Sequence, residues 1–433
     1  MLGRLNPQIK DVTIIGAGIS GLLAAYYLDK EGYRITLVEA ALHAGGLIST
    51  RKTQFGIAES AAHSVPATPT VRELFQDLGV ELSLIRPQAK ARWIYRHGKP
   101  RKFPLGPFEA LGAFLRAYFV MAPARDPESL TLEEWTRRFL GGAALRYLVT
   151  PFVRGIYGAS PKDILVSAAF PALCVPRGSS LLSFLLSKKL RKNSQSCVKR
   201  PLIKMPRGEM AAPLNGMQAL TDALEKRLTE RLGIRFKKGA TVTQLDKVAN
   251  TASNLVLCVP AGEAARLLSR EAPELSTKLS EVRYSPLTAA TVFLKKDSLA
   301  REPRGLGVLI PDGEGRRCLG VLYNSSSFPG RVKHDDVISL SMMLDESEPD
   351  STLPALIESE LNALFGLKSQ PLEISFKRWE HAVPKYDAHL LGTWEAAEKT
   401  WCSRPGRILF GNYTGQVSIR GMAELARALS RTV

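Results

Sequence analysis

The chain has 433 residues, 45% of them hydrophobic, enough for two or three packed lobes. It carries 59 Lys and Arg against 41 Asp and Glu, a net charge of +18 that attracts anions such as nucleic acid, acidic lipid or an acidic substrate. Its cysteines, Cys174, Cys197, Cys258, Cys318 and Cys402, are scattered and odd in number with no CxxC pair, which argues against a disulfide framework or a zinc site and suits a reducing cytosol.

The first strand is expected at residues 12–15, within about ten residues of the start and too early for a cleaved signal with a proper apolar core. It opens the run Asp11-Val-Thr-Ile-Ile-Gly16-Ala17-Gly18-Ile19-Ser20-Gly21, and residues 22–28 read as the beginning of a helix. Each glycine has a separate task. Gly16 makes the turn, Gly18 lets backbone approach a pyrophosphate, and Gly21 lets helix and strand pack closely. The helix N-terminus adds unpaired N–H groups and the positive end of a dipole. A second strand, Arg34-Ile-Thr-Leu-Val, ends at Glu39, placed to accept a hydrogen bond from a ribose hydroxyl. Strand, turn, helix, strand and acid in this order predict a dinucleotide site. Ala44-Gly45-Gly46-Leu-Ile-Ser-Thr50 then offers a second stretch of bare backbone beside the pyrophosphate; the alternative is an ordinary loop.

Further along, residues 71–78 read as a short helix and Arg92-Trp-Ile-Tyr95-Arg-His-Gly98-Lys99 as a hairpin. Residues 107–190 are mostly helical in their apolar spacing, with Thr131 as an N-cap beside Glu133 and Glu134. The longest apolar stretch, 105–123, contains Glu109, Arg116 and two prolines and falls short of the roughly 18 to 20 uninterrupted apolar residues of a membrane span. The apolar Leu181-Leu-Ser-Phe-Leu-Leu186 runs into Lys188, Lys189, Arg191, Lys192, Lys199, Arg200, Lys204 and Arg207. Such a pairing suits an interfacial anchor for anionic membrane, the alternative being a solvated loop. No interleaved aromatics accompany the charge, so nucleic acid is not an expected partner. Residues 216–232 read as a helix, 242–246 and 254–260 as strands, 407–412 as a last strand and glycine turn, and 422–429 as a helix. The apolar 254–260 has the character of a parallel strand buried on both faces.

The segment 16–50 resembles the N-terminal fingerprint of the FAD-dependent amine oxidase superfamily. Within it, a colinear set resembles the protoporphyrinogen oxidases: Arg92-Trp-Ile-Tyr95 with Phe103-Pro104, Pro151-Phe-Val-Arg-Gly155-Ile-Tyr157-Gly158, Leu319-Gly-Val-Leu-Tyr323 through Phe328-Pro329-Gly330-Arg331, Arg378-Trp379 with Ala382-Val-Pro384, and Gly411-Asn412-Tyr413. The resemblance spans nearly the whole chain in order. It implies an α/β fold with a discontinuous Rossmann-like FAD-binding domain (1–85, 201–262 and 386–433), a mixed-sheet substrate domain (86–106 and 263–385) and an α-helical membrane-associating domain (107–200).

It further implies an FAD-dependent oxidoreductase that removes six electrons from protoporphyrinogen IX with oxygen as acceptor, in haem and porphyrin biosynthesis. Coproporphyrinogen III is the alternative substrate. Cofactor contacts carried over by position are Gly16, Ala17, Gly18, Ile19, Ser20, Gly21, Glu39, Ala40, Gly45, Gly46, Glu59, Ser60, Ala61, Val242, Trp379, Asn412, Val417, Ser418 and Ile419. Val242 and Trp379 are equally readable as core residues. Arg92 matches the family's substrate arginine and is expected to bind a propionate, since guanidinium suits bidentate carboxylate recognition; its alternative is a surface cation. The implied setting is the cytoplasm, with peripheral attachment to the anionic cytoplasmic face of the inner membrane, a tetrapyrrole substrate, and a homodimer left open.

Two segments depart from the family pattern. Glu-x-Gly-Pro-Asn-Ser is here Glu59-Ser60-Ala61-Ala62-His63-Ser64, and Gly-Val-Gly-Ile is Gly415-Gln416-Val417-Ser418-Ile419, one residue longer. Ala61 is expected to crowd the flavin slightly. His63 is either a new acid or base, with an ordinary pKa near 6.5, or a hydrogen-bonded pocket lining. These changes keep two other classes in view: an amine oxidase or polyene desaturase, and a non-catalytic flavoprotein. The positive field argues against a cationic substrate.

Overall fold

The computed structural model describes residues 1–123, 129–187, 206–245, 253–344 and 349–431. The basic residues from Lys188 to Lys204 lie outside these; Arg207 lies within them.

Asp11–Ile15 forms the central strand of a five-stranded parallel sheet. Its spatial order is Phe236–Lys237, Arg34–Val38, Asp11–Ile15, Asn254–Leu257 and Arg407–Leu409. Neighbours pair in parallel throughout, with Ile15 beside Val38 on one side and Leu257 on the other. Strands distant in sequence thus build one layer. All four residues of Asn254–Leu257 are buried, as its uniform apolar character predicts. The helices Ile19–Lys30, Gln218–Leu232 and Ile419–Arg431 pack together on this sheet in one core that includes Leu22, Leu224 and Met422.

A second, seven-stranded sheet runs in the order Glu373–Pro384, Tyr284–Lys295, Val337–Leu344, Cys318–Leu322, Gly307–Leu309, Arg92–Arg96 and Lys99–Arg101. It is antiparallel except where Gly307–Leu309 lies parallel to Arg92–Arg96. It is therefore a mixed sheet, and its own core gathers around Val292, Met342 and Ile357.

The third part is helical: Pro107–Phe119, Leu132–Phe139, a π-helical turn Leu145–Val149 that continues into Thr150–Tyr157, and Leu181–Leu186. Thr131 caps Leu132–Phe139 in a reciprocal box with Glu134, as its sequence predicts. Thr150–Tyr157 lies tightly on the mixed sheet. A methyl group on Gly155 would sit 3.0 Å from the Leu309 side chain, and one on Gly158 would sit 3.0 Å from Leu287.

One expected strand is corrected. Thr241–Leu245 is irregular, and the edge strand is Phe236–Lys237. Buried Val242 and Leu245 stand three residues apart, a spacing that does not match a strand's two-residue period. Ala240 N–H instead bonds the Glu39 carbonyl at 2.9 Å, drawing this segment over the end of the parallel sheet.

Candidate active site: a continuous cavity between the two sheets

A cavity of about 1830 Å³ begins at the first glycine turn and extends to the mixed sheet. Ligand sites usually occupy roughly 300 to 1,000 Å³, so this space accommodates a dinucleotide and a second large molecule together.

At the nucleotide end, Gly16 has φ +97° and a Cβ there would approach the Cys258 carbonyl at 2.7 Å. A side chain on Gly21 would collide with the Gly16 carbonyl, so this glycine is a packing requirement, away from the cavity surface. Gly18 and Gly46 lie against each other on the cavity lining, where a Cβ on Gly46 would lie 3.2 Å from the Gly18 Cα. Beside them the first turn of Ile19–Lys30 presents N–H groups that have no acceptor within the helix. Glu39 Oε2 accepts from Ala17 N–H at 2.6 Å and Oε1 from Ala41 N–H at 2.9 Å. Those bonds fix the carboxylate at the cavity wall beside Ala40 with acceptor capacity remaining. Val242 lines the same end, its carbonyl held by Arg266 Nη2 at 2.8 Å.

The opposite wall is the segment 60–64. Ser60 Oγ accepts from Ser49 N–H at 2.9 Å, and the Ser60 carbonyl accepts from Trp379 Nε1 at 2.7 Å. Ala61 and His63 line the cavity beside Trp379. Val417, Ser418 and Ile419 approach it at the start of Ile419–Arg431. Ser418 Oγ caps that helix by accepting from Gly421 N–H at 3.1 Å, so a second helix N-terminus is directed at the cavity. The additional Gln416 packs against Gly421, and the longer loop is taken up there. Asn412 also lines the cavity, its carbonyl accepting from the Tyr386 hydroxyl at 2.6 Å.

Four residues read as cofactor contacts stand behind this surface: Ala17, Gly21, Gly45 and Glu59. Ala17 and Gly45 join the two glycine loops through Gly45 N–H to the Ala17 carbonyl at 2.9 Å. Glu59 is fully committed inside the protein. It receives Arg331 Nη1 at 2.7 Å, Met217 N–H at 2.9 Å and Thr50 Oγ1 at 2.6 Å. No local spacing marks the pairing of Arg331 with Glu59, 272 residues away in sequence.

The far end is mostly apolar, with Arg378, Glu380 and His381 of the mixed sheet also on the cavity lining. Leu287, Ala289, Val308, Leu322 and Met343 of the mixed sheet form its floor, and Phe152, Gly155 and Ile156 form its side. Phe152 and Ile156 are also 48% and 42% exposed, so they stand where the cavity meets solvent. Phe152, Gly155, Ile156 and Leu322 stand in segments that carry the family resemblance, but no spacing marks them as one wall with Leu287, Ala289 and Met343, which strand pairing and the packing of Thr150–Tyr157 bring together. Arg92 lies exposed at the end of its strand, on the cavity lining, next to Trp93 and Ile94. No described carboxylate forms an ion pair with it.

The parallel sheet, two glycine loops and ribose-side acid define a dinucleotide-binding flavoprotein fold joined to a separate substrate sheet. The chain belongs to the flavin containing amine oxidoreductase family, whose model matches residues 19–424. It is 27% identical to protoporphyrinogen oxidase 2, chloroplastic/mitochondrial, of Arabidopsis thaliana, over 95% of this chain and 91% of that protein. It is 23% identical to the coproporphyrinogen III oxidase of Bacillus subtilis, over 93% of each. A reduced UDP-galactopyranose mutase shares the fold with a TM-score of 0.70 at 16% identity, over 97% of this chain and 94% of that one.

FAD is the cofactor of this family, and the cavity fits it. The adjoining Gly18 and Gly46 leave backbone bare for a pyrophosphate, Glu39 is held ready for a ribose, and the two helix N-termini suit the phosphates and the electron-rich ring edge. Bound there, FAD supplies a two-electron acceptor.

Proposed function

We propose that the protein oxidises protoporphyrinogen IX to protoporphyrin IX with oxygen as the acceptor. The overall change removes six electrons and six protons from the macrocycle and converts three O₂ to three H₂O₂. The carrying observation is the mostly apolar extension of the cavity, broad enough for a macrocycle, with Arg92 at its edge. The named relatives from Arabidopsis and Bacillus support a porphyrinogen as the substrate class. In this reading the mixed-sheet floor excludes water from the ring, and Arg92 receives a propionate through its planar fork. Arg92 is without an ion-pair partner among the described residues, whereas Arg378 on the same lining is paired with Asp350, and one available guanidinium favours the dicarboxylate over the tetracarboxylate. Anaerobic mixing of the FAD-loaded protein with each porphyrinogen tests this. Faster bleaching of the flavin absorbance by protoporphyrinogen IX is expected, and faster bleaching by coproporphyrinogen III overturns the choice.

We also infer that the helix Pro107–Phe119 rests on an anionic lipid surface. None of its residues is buried, and Phe108 and Phe119 are 88% and 66% exposed. Leu185 and Leu186 are exposed at the end of a helix packed beside it, and the chain continues from there into its basic segment. No described helix is long and apolar enough to cross a membrane. An apolar helix flanked by cations instead lies in the interfacial plane.

A further inference from the structure

The pairing of the mixed sheet carries one row of residues across its cavity face. Ala289 pairs with Met343, Met343 with Gly320, Gly320 with Leu309, Leu309 with Ile94, and Ile94 with Arg101. Paired residues on neighbouring strands point to the same face of a sheet. The first five of this row line the cavity, so Arg101, at the sheet's outer edge, is presented on that face just beyond the lining. Arg92 stands two residues before Ile94 on the same strand and shares the face. The intervening Trp93 and Tyr95 pack with Val292 and Met342 in the core behind.

The neighbouring cations of this hairpin are already engaged. Arg96 donates to Glu109 at 2.7 Å and lies over the Tyr147 ring, and Lys102 lies over the Trp93 ring. Arg92 and Arg101 differ from them. Both are exposed, and neither has an ion-pair partner among the described residues. Diagonal neighbours on an antiparallel pair stand roughly 7 to 8 Å apart, so the two long side chains bring their guanidinium groups side by side. Two like charges held that close repel each other, and no described carboxylate offsets them. An anion that spans both removes the repulsion.

We propose that Arg101 forms with Arg92 a paired guanidinium edge that receives two neighbouring carboxylates of one substrate, which makes Arg101 a specificity-determining residue. The proposal rests on the porphyrinogen reading. Protoporphyrinogen IX carries its two propionates on adjacent pyrrole rings, so both leave the macrocycle on one side. Each meets one planar fork, while the remainder of the ring lies on the floor of Leu287, Ala289 and Met343. Coproporphyrinogen III carries a propionate on each of its four rings, and two of them would point away from this edge toward that floor, where burying a carboxylate is costly.

The test compares FAD-loaded wild type, Arg101→Met and Arg101→Lys, with FAD content and melting temperature showing that each variant folds. Fluorescence quenching gives the dissociation constants of protoporphyrin IX and of its dimethyl ester, in which both carboxylates are masked. For Arg101→Met the diacid is expected to bind about 10-fold more weakly and the ester as tightly as to wild type, with Arg101→Lys falling between for the diacid. Wild-type affinity of Arg101→Met for the diacid overturns the proposal. An equal loss for diacid and ester does so too, since it marks a change in the ring pocket and not at a carboxylate. Reduced sedimentation of Arg101→Met with phosphatidylserine vesicles, at unchanged diacid affinity, assigns the residue to a lipid surface and likewise overturns it. Failure of the wild type itself to bind protoporphyrin IX is a separate result, which overturns the porphyrinogen reading and this proposal with it.

Discussion

Glu59 and Arg331 form an ion pair of 2.7 Å with side chains each only 3% exposed, tying the hairpin of strands Thr50–Lys52 and Ile57–Glu59 to the segment that leads into Val337–Leu344 of the mixed sheet. Removing one member leaves an uncompensated charge in the interior. Arg331→Met is expected to lose about 3 to 5 kcal/mol of stability, and the double variant Glu59→Gln/Arg331→Met less than the two single losses added together. Urea denaturation of the four proteins measures this. Additive losses would show that the two groups do not act as a pair.

Glu39 touches the cavity through a carboxylate already oriented by two backbone N–H groups. Glu39→Ala is expected to weaken FAD binding by about 10- to 100-fold, from loss of a charge-assisted bond worth roughly 1.5 to 3 kcal/mol. Titration of the apoprotein by flavin fluorescence gives the dissociation constant. An unaltered constant would remove Glu39 from the ribose site.

Arg92→Ala is expected to raise KM for protoporphyrinogen IX by roughly 10-fold or more, with FAD content unchanged, because a solvent-accessible guanidinium at the cavity edge supports substrate binding and little of the fold. Steady-state kinetics with a parallel flavin assay separates the two. An unchanged KM assigns Arg92 to the surface alone.

Both imidazole nitrogens of His63 are buried without a hydrogen-bond partner among the described residues, and burial first, with the Arg331 charge second, pulls its pKa down to about 3. In the unfolded chain it takes up a proton near pH 6.5, whereas in the folded protein it does so only near pH 3. The unfolded state therefore binds more protons between these values. As pH falls below about 6.5 this residue withdraws stability at up to roughly 1.4 kcal/mol per pH unit, and above it contributes no slope. Melting temperatures from pH 7.5 to 5 are expected to fall more steeply for wild type than for His63→Asn. Parallel curves would contradict the burial of an uncharged ring.

Replacing Phe108 and Phe119 together by serine is expected to reduce co-sedimentation with phosphatidylserine vesicles at least several-fold without lowering the melting temperature, because both side chains are largely exposed. Retained vesicle binding would move the lipid contact elsewhere. A change in oligomeric mass in its place would mean that this face pairs with a second copy of the chain.

The nucleotide half of the site was legible because its determinants are local: a turn, a helix start and the end of the adjoining strand lie within residues 11–39. Val417, Ser418 and Ile419 were placed through family resemblance, and the capped helix start explains why they reach the cavity. Val242 also reaches it, on a loop and not the strand its composition invited. The substrate wall was not legible. Leu287 and Met343 look like any apolar strand residues, and what sets them on one floor is the pairing of Tyr284–Lys295 with Val337–Leu344. The roles of Ala17 and Glu59 were likewise hidden, since a motif position does not show whether a group faces the ligand or braces the loop behind it.

Arg407–Leu409 completes the parallel sheet by pairing with Asn254–Leu257, and Leu2 bonds across to Leu409. The helix that follows supplies Val417 to Ile419 at the ring end of the cavity. The nucleotide pocket is therefore complete only when segments nearly four hundred residues apart in sequence, 11–39 and 407–419, have come together. A chain cut before Arg407 is accordingly expected to retain no flavin and to be colourless.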